Sequence, residues 1–282
     1  MGRINEILEA PGAFAEPEDP VSPPESESGA ALEVRRLTFT YPGRAEPALR
    51  DVSFTIRSGE RVAIVGRTGS GKTTLLSLIP RLWSVTDGSI LLDGVDINRL
   101  RLDRLRSCIG FVPQETFLFS DTLAANIALP EEEADVSALP EVEAAGELAQ
   151  FAGDVTGFPD GWRTLVGERG ITLSGGQKQR AAIARALLRR PRLLIFDDAL
   201  SSVDTETEER ILDGVMTAHP ERTVLFVSHR LSTMRRADRI LVFDNGALVE
   251  AGTHEALMAV GGSYRRLIDQ QLLSDELERE DL

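Results

Sequence analysis

RVAIVGRTGSGKTT, residues 61–74, decides how the rest of the chain is read. RVAIV is a short apolar run of the kind buried on both faces of a parallel sheet. The nine residues after it fit G-x-x-x-x-G-K-[ST], placed between that strand and a helix expected to begin near Lys72. Gly66, Gly69 and Gly71 allow the backbone to wrap tightly, so that N–H groups along Arg67, Thr68, Ser70 and Thr74 turn inward toward phosphate oxygens. A helix starting there adds the positive end of its dipole. Lys72 is expected to reach the β- and γ-phosphates of a nucleotide, and Thr73 to place its hydroxyl on Mg²⁺.

A second apolar strand, LLIF (193–196), runs into Asp197 and Asp198 and then SSVD (201–204). An apolar strand ending in an acid is weak evidence by itself. Downstream of a phosphate loop it gains force, because Asp197 then has a metal to hold. The two motifs together predict binding of a nucleoside triphosphate with Mg²⁺.

Composition narrows the classes. The chain has 282 residues, 42% hydrophobic, enough for one large α/β domain or two small ones. A single cysteine, Cys108, excludes a disulfide framework and a thiolate metal cluster, and three histidines are too scattered for a metal site. Cys108 is read as buried filler where a helix meets a strand. Net charge is −14, concentrated in residues 1–30, 131–147 and 274–282. The remainder is slightly basic, which suits an anion in the middle of the chain, whereas the acidic total makes a nucleic-acid groove unexpected. Lys72 and Lys178 are the only lysines among 31 basic residues. No apolar run reaches bilayer length and the first ten residues lack a signal-peptide core, so a soluble chain on the cytosolic side is expected.

Residues 1–30 are expected to hold the end of a helix, with Ile4, Ile7 and Leu8 at helical spacing, and then a disordered linker over 11–30 with five prolines. The folded part is placed at 31–273 and an acidic tail at 274–282. Alternation in LEVRRLTFTY and LRDVSFTIRSGE predicts antiparallel strands. Strands are also expected at 89–93, 109–113, 223–227 and 239–243, a mainly helical insertion at about 115–190, a helix from Glu206, and a helical end.

ITLSGGQKQRAAIARALLRRPRLLIFDD (171–198) sharpens the class. Leu173–Gln177 followed by a long helix, some 20 residues before the aspartate strand, resembles the signature of ATP-binding cassette (ABC) ATPases. Ser174 is also a good N-cap on local grounds. The resemblance implies a RecA-like P-loop NTPase core with an N-terminal antiparallel β subdomain and an inserted α-helical subdomain. It further implies that Ser174, Gly175, Gly176 and Gln177 face the γ-phosphate bound by a second ABC ATPase domain. Other family motifs follow in order. Tyr41 resembles the aromatic that stacks on adenine, and Gln114 the glutamine that contacts Mg²⁺ and links it to the helical subdomain. VGERG (166–170) is similar to the loop that touches the transmembrane partner in exporters. Asp204 falls in the loop at the dimer interface, and His229 matches the histidine that hydrogen-bonds the γ-phosphate. GRINEILEAP, TFLFSDTLAANIAL and HRLSTMRRADRILVFDNGALVEAGTHEAL resemble exporters of the multidrug and lipid type. The implied reading is an exporter's ATPase domain at the cytoplasmic face of the cell membrane, working with transmembrane domains.

One residue departs from the family pattern. Asp198 stands where the family normally has Glu to polarise the attacking water. Its carboxylate falls back by roughly 1.5 Å, and misplacement on that scale can cost on the order of 100-fold in rate. Slow hydrolysis with retained ATP binding is therefore expected. Heterodimeric exporters carry such an altered acid in one subunit while the partner keeps Glu. A homodimer that tolerates Asp is the competing account, as is a non-catalytic ATP-bound regulatory clamp.

Overall fold

The computed structural model describes residues 17, 19–24, 26, 28–129, 139–167 and 171–280, with side chains through Leu273. The expected helix end at 1–10, part of the acidic run (130–138) and residues 168–170 of VGERG lie outside the described residues.

The first strands, β1 (Leu32–Phe39) and β2 (Leu49–Ile56), pair antiparallel as their alternation predicts. Two shorter strands, β4 (Ile90–Leu92) and β5 (Val95–Asp96), complete a four-stranded antiparallel sheet ordered β2-β1-β4-β5. The second sheet is built around β3 (Arg61–Val65). It adds β6 (Ile109–Val112), β7 (Leu193–Phe196), β8 (Thr223–Val227), β9 (Arg239–Asp244) and β10 (Ala247–Gly252) in the order β10-β9-β3-β8-β7-β6. Every pairing in it is parallel except the β9–β10 hairpin.

Burial explains why these runs read as continuous apolar sequence. Val62, Ile64, Leu193, Ile195, Leu225 and Val227 point into a layer shared with the antiparallel sheet and with helix α1 (Lys72–Leu78). Their neighbours Ala63, Val65, Leu194, Phe196, Val224 and Phe226 point to the other face. There they meet the helical part. After α2 (Leu102–Ser107) and β6, this comprises α3 (Leu123–Ala128), α4 (Leu139–Leu148), α5 (Ala152–Val155) and α6 (Gly175–Leu188). With both faces covered, polar alternation has no place in β3, β7 or β8.

Helix α7 (Thr205–Ala218) follows β7, and the short α8 (Leu231–Met234) lies between β8 and β9. After β10 the chain closes with α9 (His254–Val260) and α10 (Ser263–Glu280). Cys108 caps α2 immediately before β6, and burial pushes its thiol pKa up.

Two sequence expectations need correction. The end of the chain is not helical directly after β9. Asp244-Asn245-Gly246 turns the strand back as β10, with φ of 47° at Asn245 and 80° at Gly246. Asn-Gly between apolar runs is a hairpin signal, and it outweighs the helical pattern beyond it. The linker over 11–30 is also not free along its described second half. Val21 donates its N–H to Arg99 O at 2.9 Å, and Gly29 to Glu221 O at 2.8 Å. Arg192, paired with Asp93 at 2.7 Å, donates to the carbonyls of Pro24, Ser28 and Gly29. Main-chain carbonyls hold this segment, so its polar composition gave no sign of the contact.

Candidate functional site

The loop between β3 and α1 has the conformation its glycines predict. Gly66 lies at φ 153°, and a Cβ there would sit 2.3 Å from Phe243 O. Gly71, at φ 99°, would bring one to 2.8 Å of Ala48 O. Both positions need a residue with no side chain. Gly71 is also the N-cap of α1, so no side chain caps that helix start.

Lys72 is 8% exposed, and its ammonium donates to Gly66 O at 2.7 Å and Arg67 O at 3.0 Å. Both acceptors are neutral carbonyls. Burial lowers its pKa, against the nearby charges of Asp198 and Asp197. The Thr73 hydroxyl donates to Asp197 Oδ1 at 3.0 Å, uniting the first turn of α1 with the end of β7, 124 positions away. Asp197 is 2% exposed, and burial together with the charge of Asp198 raises its pKa against the Thr73 bond and Lys72. Asp198 is also raised by burial, opposed by His229, Lys72, Arg230 and a hydrogen bond from Gln114 Nε2 to its Oδ2 at 3.1 Å.

These groups line one cavity of about 340 Å³, with Tyr41, Ala48, Thr68, Gly69, Gly71, Thr74, Val227 and His229 around it. Buried acids and a buried ammonium, each with its charged form disfavoured, leave this cavity suited to a ligand that supplies anion and cation together. A divalent ion fits the donor set. Thr73 Oγ1 and the Asp197 carboxylate already converge, and Gln114 enters from the start of the helical part. Among the described residues no group of three or more His, Cys, Asp or Glu could hold a metal. Further oxygens would have to come from phosphate or water.

The structure divides the predicted site residues into two sets. Tyr41, the loop residues, Gln114, Asp197, Asp198 and His229 come together. Gly66, Arg67 and Ser70 form the loop's frame, and Arg67 and Ser70 line a neighbouring cavity toward Asn245 and Arg266. Ser174, Gly175, Gly176, Gln177 and Asp204 are not part of the Lys72 cavity. Ser174 and Gln177 form a reciprocal capping box at the start of α6. The Asp204 carboxylate caps α7 through Thr207 N at 2.9 Å and Thr207 Oγ1 at 2.7 Å, bonds that lower its pKa.

Sequence reasoning missed Trp83. Its ring packs edge-on to Tyr41 at 5.2 Å, while Phe39 does so from another side at 4.9 Å. The Tyr41 hydroxyl donates to Thr74 Oγ1 at 3.0 Å. The Tyr41 side of the cavity therefore belongs to an aromatic cluster, and the 41 residues between Tyr41 and Trp83 conceal it.

A doubly covered parallel sheet with a lysine-bearing glycine loop at the carboxyl end of a central strand defines a phosphate-binding α/β protein. Residues 49–201 match the family described as ABC transporter, and the chain belongs to that family. It is 48% identical over 238 residues to an "ATP-dependent lipid A-core flippase" of Aromatoleum aromaticum, covering 84% of this chain and 39% of that protein. It is 41% identical over 273 residues to a Bacillus subtilis "Probable multidrug resistance ABC transporter ATP-binding/permease protein", covering 97% and 46%. Among solved structures it is similar to "a bacterial Atm1-family ABC exporter with ATP bound". The TM-score is 0.86 at 37% identity, over 96% of this chain and 46% of that one. The chain thus spans less than half the length of these relatives.

Proposed function

We propose that this chain binds Mg²⁺–ATP at Lys72 and, as one half of a head-to-tail sandwich, drives export through ABC transmembrane domains at the cytoplasmic membrane face. The observation that carries the reading is the ammonium of Lys72, buried and, among the described residues, hydrogen-bonded to loop carbonyls alone, facing two acids and a threonine hydroxyl. Triphosphate oxygens would give it anionic acceptors. Thr73, Asp197 and Gln114 would hold Mg²⁺, which when bound offsets charge on the phosphates. Tyr41 would stack on the base, and loop amides from Gly66 to Thr74 would bind phosphate oxygens. His229 would meet the γ-phosphate from the far rim.

Ser174–Gln177 and the Asp204 turn would serve a second domain's nucleotide across the interface. Residues 31–273 would form that ATPase unit, with 1–30 leading from a membrane domain and 274–282 forming a tail. Asp198 would take the water-polarising position with a shortened reach. The chain's own site would then hydrolyse slowly, and a Glu-bearing partner subunit would carry most turnover. A homodimer with a tolerated Asp is the second reading, favoured by the presence of His229. Similarity to a lipid A-core flippase and to a multidrug resistance transporter suggests a lipid or a drug as cargo.

Equilibrium titration with ATP, with and without Mg²⁺, tests the core of this. Binding at micromolar to low-millimolar concentration, strengthened by Mg²⁺ and strongly weakened in Lys72→Ala, is expected. Equal binding by wild type and Lys72→Ala would overturn it. Mixing the chain with candidate Glu-bearing partners, and following ATP-dependent association by light scattering, separates heterodimer from homodimer.

A further inference from the structure

Glu208 is 2% exposed, in the first turn of α7, and the reading above assigns it no task. Its two carboxylate oxygens are fully engaged. Oε1 accepts from Ser228 Oγ at 3.2 Å and from Thr233 Oγ1 at 2.6 Å. Oε2 accepts from the Arg230 guanidinium, an ion pair that is buried on the glutamate side. Arg230 uses its other arm to donate to Val203 O at 2.7 Å, and its own N–H donates to Ser228 Oγ at 3.1 Å. Both neighbours of His229 in the chain are therefore fastened to one carboxylate, directly or through the same hydroxyl. His229 itself is exposed on the cavity.

The network also reaches the turn before Asp204. Ser202 N donates to Gln179 Oε1 at 3.1 Å, and Gln179, 3% exposed, sits on α6 a turn beyond Ser174. One carboxylate thus joins the loop bearing His229 to the Val203–Asp204 turn, and that turn is held by the helix that begins at Ser174.

We propose that Glu208, acting through Arg230 and Ser228, is a positioning residue that fixes the His229 loop against the Asp204 turn and so sets the imbalance between ATP and ADP binding. This rests on the reading in which His229 meets the γ-phosphate. A buried carboxylate with three donors around it holds one geometry, because moving the Arg230 guanidinium away leaves its charge without an opposite charge. Arg230 suits the bridging role, since its planar fork can bind a carboxylate and a carbonyl at once. Thr233 on α8 anchors the far side of the loop, so His229 cannot drift away from the cavity by a hinge at Arg230.

The test uses the full chain. ATP and ADP affinities are measured for wild type, His229→Ala, Glu208→Gln and Arg230→Lys, with thermal melting as a control for folding. Arg230→Lys keeps the charge but cannot span both acceptors, and it serves if Glu208→Gln fails to fold. The expected result is a fall of about fivefold to tenfold in ATP affinity for both variants, with ADP affinity unchanged, because only ATP carries the phosphate His229 would touch. The chain has three histidines, so ring signals of His219, His229 and His254 can be followed separately by NMR. The His229 signal should move in Glu208→Gln while the other two stay.

Equal losses for ATP and ADP, or an unmoved His229 signal in a folded variant, would overturn the proposal and leave Glu208 with a purely structural role. If His229→Ala itself leaves the ATP-to-ADP ratio unchanged, the underlying assignment of His229 fails, and this inference falls with it. Loss of ATP preference in His229→Ala but not in Glu208→Gln or Arg230→Lys sinks the positioning role alone.

Discussion

The chain starts two helices at glycine-containing motifs, and the two starts are built in opposite ways. At α1 the N-cap is Gly71, without a side-chain cap, and beside it a buried ammonium rests on carbonyls. At α6 Ser174 and Gln177 satisfy each other, Ser174 N reaching Gln177 Oε1 at 2.9 Å and Gln177 N reaching Ser174 Oγ at 3.2 Å. Gln177 Nε2 and Arg180 are then tied to Asp154 at 3.0 and 2.7 Å. The first start keeps its donors and charges for a ligand. The second is stable as it stands and presents an exposed surface. In the proposed reading this difference fits the roles: the first start would receive the chain's own nucleotide, and the second, ordered by its own side chains, would face a partner's.

That contrast can be broken most sharply at Lys72. Lys72→Ala should weaken ATP binding by on the order of 10²–10³-fold, since it removes a charged partner from a desolvated site. Ser174→Ala, in contrast, should leave ATP affinity of the lone chain within about twofold, read in the same titration. Equal effects at the two positions would erase the distinction.

Asp198→Glu comes next in size. Restoring the missing methylene should raise the chain's hydrolysis rate by about 100-fold without changing ATP affinity, measured as phosphate release at saturating ATP. Asp198 lies at φ 51°, a left-handed conformation in which Asp is more at home than Glu. The gain in rate should therefore come with a stability loss of at most about 1 kcal/mol.

Smaller effects concern the empty protein. Ser174→Ala should cost about 0.5–2 kcal/mol through the lost cap, seen in chemical denaturation. Asp197→Asn should abolish the Mg²⁺-dependent gain in ATP affinity yet raise the melting temperature of the ligand-free chain by roughly 2–4 °C. The sign follows from its pKa, which burial raises above the ordinary carboxylate value. The folded form then binds this proton more tightly than the unfolded form. Its contribution to stability falls as pH rises through the carboxylate range, and at neutral pH the charge is a liability. The stabilising effect of the substitution should accordingly shrink as pH is lowered. An unchanged difference at acid pH would contradict it.

Much of this site was legible along the chain because its signals are local. Gly66, Gly71 and Lys72 lie within one loop, Ser174 and Gln177 within one helical turn, and Leu193–Phe196 ends in the acid it positions. Asp204 was legible only through resemblance to the family's interface loop, and in the structure its carboxylate caps α7. β10 was missed although Asn245-Gly246 marks its hairpin, since the apolar pattern after it fits a helix equally well. The contact of Arg192 with the 24–29 backbone left no trace in sequence, because carbonyl acceptors are the same in every residue.

Resemblance to the family singled out Asp198, while the sequence alone determined the phosphate loop, the doubly buried strands and the Ser174 cap. Each depends on backbone geometry or burial pattern within a few residues. Only the tertiary structure decided that Gln114 meets Asp198, that Trp83 stands against Tyr41, and that Glu208 gathers Ser228, Arg230 and Thr233. Those contacts join residues that the sheet order brings together, and a hydrogen bond forms wherever folding sets its donor and acceptor side by side.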